Sequence, residues 1–141
     1  MTNEVMLTIK GIQKYSGEEP LETITQTNAE YFQRGKSRYV MFEETQDGFT
    51  ESVKSMLKIK SNCVELTKKG LLRSYMVFEP EQLYMTEYRT PFGGMQLGVR
   101  TRELQILETE DVINIQIKYL LESGEQVMAD CSIQITIREK K

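Results

Sequence analysis

Ile113, Ile115, Ile117, Tyr119 and Leu121 occupy every second position between Val112 and Glu122. Val127, Ala129, Cys131, Ile133, Ile135 and Ile137 repeat the pattern from Gln126 to Arg138. A period of two puts each set on one face of an extended strand, which no helix can do. Ser123-Gly124-Glu125 between them reads as the turn of an antiparallel hairpin. Two long strands with one continuous apolar face each cannot stand alone. The chain must supply more sheet to cover them.

It does so almost everywhere. Val5, Leu7 and Ile9 share a face of a first strand that runs to Gln13, and Ser16-Gly17-Glu18-Glu19-Pro20 turns the chain. Leu21 to Gln33 follows, with Thr23, Thr25 and Thr27 alternating with Glu22, Ile24 and Gln26. Arg34-Gly35-Lys36 leads into Ser37 to Glu44, where Tyr39 and Met41 lie on one face and Val40 and Phe42 on the other. Asp47-Gly48 is a strong turn dipeptide. Beyond it, Ser52 to Lys60 places Val53, Leu57 and Ile59 on one side, although Phe49, Val53, Met56 and Leu57 also fit a helical stripe. Cys63 to Lys68, Leu72 to Phe78, Leu83 to Arg89 and Met95 to Arg102 complete the series, with Thr90-Pro91-Phe92-Gly93-Gly94 as the sharpest turn.

About ten short-linked strands in one domain must close or split into two layers to protect their edges. The expectation is therefore an all-β fold: a single closed antiparallel barrel of about eight to ten strands, occupying residues 1–141 as one domain.

The run Tyr88-Arg89-Thr90-Pro91-Phe92-Gly93, followed by Leu97-Gly98-Val99 and Thr101, resembles the YwiB-like bacterial domains of unknown function. Supporting pieces are Val5 to Gly11 with Ile12, the entry Pro20-Leu21-Glu22, and Met76-Val77-Phe78-Glu79. The resemblance covers nearly the whole chain. It implies a calycin-type, lipocalin-like barrel and carries no activity with it.

Composition narrows the function classes. The 18 Lys and Arg residues stand against 21 Asp and Glu, a net charge of -3, with signs mixed along the chain. That charge gives no footprint for duplex DNA or an anionic membrane. The N-terminus Met1-Thr2-Asn3-Glu4-Val5 shows no signal-peptide pattern, which reads as cytoplasmic. Cys63 and Cys131 are distant and form no CxxC pair, so they are expected as free thiols.

The chain has no histidine, which removes the commonest general base and the commonest zinc ligand. No metal and no cofactor are expected, and catalysis is disfavoured. Gly93-Gly94 precedes a strand and lacks the spacing of a phosphate loop. Glu43 and Glu87 near strand ends read as solvated charge. Arg100 and Arg102 lie two apart on one face: turned inward they would clamp a carboxylate or phosphate, turned outward they are surface charges. Tyr84 and Tyr88 share a face, and tyrosines and methionines at a barrel mouth suit a small, partly apolar ligand. The candidate ligand-binding set is Tyr39, Met41, Tyr84, Tyr88, Arg100 and Arg102. A protein-interaction or homodimeric assembly role is the alternative, suggested by the two-sided Tyr39 to Phe42 strand.

Overall fold

The computed structural model describes residues 1–45 and 52–140. Ten antiparallel strands run as β1 (Glu4–Tyr15), β2 (Leu21–Arg34), β3 (Ser37–Thr45), β4 (Ser52–Ile59) and β5 (Val64–Gly70). They continue as β6 (Ser74–Phe78), β7 (Leu83–Thr90), β8 (Gly93–Glu108), β9 (Val112–Ser123) and β10 (Gln126–Glu139). The expected strand over 52–60 is present as β4, which pairs with β3 on one side and β5 on the other. A helix there is excluded; the Asp47-Gly48 turn and Phe49 lie outside the described residues.

The sheet order is β6-β5-β4-β3-β2-β1-β10-β9-β8-β7. Every neighbour is also a sequence neighbour except β1 and β10, which pair from Val5↔Glu139 to Tyr15↔Ala129. The two edge strands, β6 and β7, are consecutive in the chain. Residues 79–82 return β6 into β7, with the Gln82 N–H donating to the Glu79 carbonyl at 3.1 Å. At the other end of this pair, Arg73 and Arg89 exchange backbone bonds of 2.9 and 2.8 Å. The result is a nearly closed barrel, fastened at that seam.

The interior follows the alternation. Ile113, Ile115, Ile117, Tyr119 and Leu121 are all buried, as are Val5, Leu7, Val53, Leu57 and Ile59. Such one-sided rows stabilise the sheet chiefly by removing apolar surface from water.

β8 runs further than its pattern suggests, to Glu108. A bulge explains this. The register with β9 shifts between Thr101 and Glu103, so Thr101 is buried, Arg102 and Glu103 are both exposed, and Leu104 turns partly inward again. The same bulge serves the seam. β7 pairs with β8 only as far as Leu83↔Arg100. Beyond that, Thr101 accepts a backbone bond from Glu81 at 2.9 Å and donates one to Gln82 at 3.2 Å.

One end of the barrel is crossed by an ion pair. Arg38 lies on the inner face of β3, only 9% exposed, and its guanidinium binds the Glu108 carboxylate at the end of β8. Tyr31 is buried beside them. Burial raises its phenol pKa, and Glu108 adds to the rise while Arg38 opposes it.

In mid-barrel an inner row runs Gln13, Cys131, Tyr119 and Thr101 across β1, β10, β9 and β8. Burial pushes the Cys131 thiol up to about 11, against an ordinary value of 9.0. In the unfolded chain this thiol ionises near 9 while in the folded one it stays neutral, so its contribution is intact below pH 9 and lost by about 11. Stability is expected to fall over that window by on the order of 2 kcal/mol from this group. Urea titrations at pH 8.5 and 10.5 should show a smaller fall in Cys131→Ala.

Candidate functional site

The inner faces of β4, β5 and β6 are apolar except for one polar row. Ile59, Val64 and Phe78 are neighbours in register, then Leu57, Leu66 and Met76. The next row is different: Phe42, Ser55, Lys68 and Ser74 lie side by side across β3 to β6. Ser55 is 4% and Ser74 6% exposed, and neither hydroxyl has a partner among the described groups. A buried hydroxyl left unpaired costs about 1–3 kcal/mol, and native proteins tolerate few of them. Lys68 stands between the two and donates to Glu44 Oε2 at 3.3 Å.

Two surface depressions border this row. On the β2–β3 side the ladder starts only at Glu30↔Met41. A cleft of about 550 Å³ opens beyond that point, with Phe42 and Ser55 in its lining and Glu4, Glu43, Lys54 and Lys140 around it. On the other side, β6 and β7 are joined at the Arg73–Arg89 bridge and at their connecting turn. Between Ser74 and Phe78 no ladder pairing crosses to β7 among the described residues. Over that eyelet lies an open outer depression of about 610 Å³ bordered by Lys68, Lys69, Arg73, Ser74, Glu87 and Arg89, with Tyr75 and Met85 adding apolar surface. Its size falls within the usual range for small-molecule sites, about 300–1,000 Å³.

Electrostatically the eyelet is the inverse of the chain as a whole. Four cations line it against one acid, Glu87, which holds Arg89 Nε at 2.5 Å. Lys69 and Arg73 make no ion pair among the described residues. On the same outer face, Tyr75 donates its hydroxyl to Glu65, and that bond, with burial behind it, pushes the phenol up to about 12. Tyr75 therefore stays a neutral hydrogen-bonding group at any physiological pH.

The six residues singled out from the sequence are not gathered into one place. Tyr39 is on the outer face, stacked on Phe32 with centroids 4.9 Å apart and planes 9° from parallel. Lys58 sits 5.6 Å from the Tyr39 ring centre. Met41 is 44% exposed and forms a wall of the β2–β3 cleft. Tyr84 and Tyr88 do share the inward side of β7, in register with Val99 and Met95. Tyr84 donates to Glu79 Oε1 at 2.7 Å, which raises its pKa. Arg100 and Arg102 are both exposed, so no inward clamp forms: Arg100 Nε binds Glu122 Oε2 at 2.6 Å, and Arg102 sits at the bulge in an outer groove with Glu103 and Lys118. Glu43 and Glu87 are exposed strand residues, as their positions suggest.

Sequence reasoning missed Ser55, Lys68, Ser74 and Arg73. A signal existed for the serines. Each stands in the apolar phase of its strand, in Val53-Ser55-Leu57-Ile59 and Ser74-Met76-Phe78.

Among the described residues no three His, Cys, Asp or Glu side chains are placed to hold a metal ion. No helix among them is long and apolar enough to cross a membrane.

The fold is a nearly closed antiparallel barrel with an internal polar row. The chain belongs to the family described as "Domain of unknown function (DUF1934)", which it matches over residues 7–135. It is similar to the crystal structure of ywiB protein from Bacillus subtilis, with a TM-score of 0.86 over 99% of this chain and 93% of that one. At 19% identity that likeness establishes the fold. No functionally curated protein matches the sequence.

Proposed function

We propose that this protein binds a small molecule in the eyelet between β6 and β7, with its polar end directed at Lys68 and Ser74. The observation that carries this reading is the clustering of two unpartnered buried hydroxyls, Ser55 and Ser74, on either side of Lys68 in one inner row. A polar ligand group reaching that row would satisfy groups that the fold itself leaves unpaired. Tyr75 and Met85 at the opening suit the ligand's less polar part. The barrel architecture agrees, since barrels of about eight strands or more can hold one ligand, though that part is analogy of fold.

Native mass spectrometry tests it. After incubation with the small-molecule fraction of a cell extract, the protein should carry an adduct that disappears on denaturation. Ser74→Val should weaken the adduct at least tenfold, about 1.4 kcal/mol, for one lost buried hydrogen bond. An adduct unchanged in both Ser74→Val and Lys68→Met would place binding elsewhere, and a bare protein under all conditions would overturn the reading.

A further inference from the structure

We propose that the eyelet recognises a compact oxyanion, a phosphate or phosphate-like group, held between Arg73 and Arg89, and that this anion fastens the barrel's seam. The inference rests on the eyelet being the binding site and names what that site takes.

Its basis is a misfit in the closure. Arg73 and Arg89 exchange both backbone bonds, at 2.9 and 2.8 Å, so they form a hydrogen-bonded antiparallel pair with their side chains on the same face. In such a pair the Cα atoms are about 5.5 Å apart. Like charges directly opposite one another on a sheet are destabilising. Yet this cation pair is the one bridge between β6 and β7 among the described residues. The chain thus closes its barrel with two arginines directly opposed.

The surroundings do not relieve the repulsion fully. Glu87 engages Arg89 through Nε and leaves the Arg73 guanidinium with no acid partner among the described residues. Lys69 is in the same position, and both line the outer depression at the seam. Guanidinium groups match phosphate oxygens two at a time. An oxyanion between the arginines turns the repulsion into two charge-assisted contacts, and Lys69, which lines the same depression, can add to them. Occupancy and closure then become linked: the anion binds the closed seam, so it stabilises the folded barrel.

Thermal unfolding with inorganic phosphate as the probe, against chloride at equal ionic strength, tests this. In chloride, Arg73→Gln should melt at or above the wild-type temperature, because the repulsion is gone. In phosphate at about ten times its dissociation constant, wild type should gain about 3–5 °C more than Arg73→Gln. Subtracting the variant removes the general stabilisation that phosphate gives any folded protein. Backbone hydrogen exchange at Arg73 and Arg89 should slow with phosphate in wild type alone. Phenyl phosphate then separates the two sources of the anion: tighter binding than phosphate assigns it to an organic phosphate, weaker binding to a free oxyanion.

An equal phosphate response in wild type, Arg73→Gln and Arg89→Gln overturns the inference. If the extract adduct nonetheless persists and depends on Ser74, the oxyanion claim alone has failed and the binding reading stands. If the adduct is missing as well, both have failed.

Discussion

Phe78→Ala is expected to lower stability by about 4 kcal/mol, among the largest effects of any single side-chain truncation in this chain. Phe78 closes β6, is 1% exposed, and packs edge-on against Tyr119 of β9 with ring centres 5.0 Å apart and planes at 62°. Removing a buried phenyl costs the lost transfer energy and leaves a cavity, about 3–5 kcal/mol together, of which the aromatic pair accounts for about 1. The position makes the upper part of that range apply. β6 is five residues long, has a continuous ladder only with β5 among the described residues, and is fastened to β7 at the Arg73 bridge and the connecting turn. Phe78 is the side chain that holds this edge strand onto the far wall, so little nearby can collapse into the space. Urea unfolding reads the effect, with Phe92→Ala as the comparison. Phe92 is 89% exposed at the tip of the β7–β8 turn, so its truncation should stay within about 0.5 kcal/mol. A loss below 1 kcal/mol in Phe78→Ala would mean that β6 is not docked on β9.

The barrel was legible because alternation is a local signal. Where a strand buries one face, as from Ile113 to Leu121, the residues announce both the strand and its inward side. The β4 segment shows where that stops. Val53, Met56 and Leu57 fit a helix and a strand alike, and ladders with β3 and β5 decide the outcome. Those partners lie outside any short window. β8 shows a second failure. A single extra residue at Arg102 shifts the phase, so the inner row begun by Leu97 and Val99 passes to Leu104 and Ile106, which simple alternation assigns to the other face, and the strand goes on to Glu108.

The candidate site was harder to read because it is made by register between strands. Strand phase alone puts Ser55, Lys68 and Ser74 on inner faces, but nothing local says that they are adjacent. That follows from Ser55↔Lys68 and Lys68↔Ser74, which depend on where each hairpin turns. Arg73 and Arg89 illustrate the same point, since they are opposed only because the β6–β7 connection pinches at both ends. Tyr39, by contrast, is conspicuous in sequence as an aromatic on a strand apolar on both faces. It is accounted for by its stack on Phe32, a cross-strand pair that stabilises the β2–β3 ladder.

Removing either partner of the Arg38–Glu108 pair should give unequal losses, and the inequality is the informative quantity. Arg38 is 9% exposed on the inner face of β3, whereas the Glu108 side chain is 45% exposed at the end of β8. Glu108→Ala strands a buried guanidinium that cannot shed its charge, and leaving such an ion unpaired costs about 3 kcal/mol. Arg38→Met keeps the volume and apolar stem of the side chain, and the carboxylate left behind can take up water, so the loss should be about 1 kcal/mol or less. Glu108→Gln should fall between them, because it retains an acceptor without the charge. The pair joins β3 to β8 across the barrel's end, so the stranded charge lies beside Tyr31, whose ring is buried there. In urea titrations of the two single variants and the double variant, the double should be close to Arg38→Met alone, since without the guanidinium the carboxylate has nothing left to neutralise. Equal losses for Arg38→Met and Glu108→Ala would show that water reaches Arg38 in solution and that this end of the barrel is open.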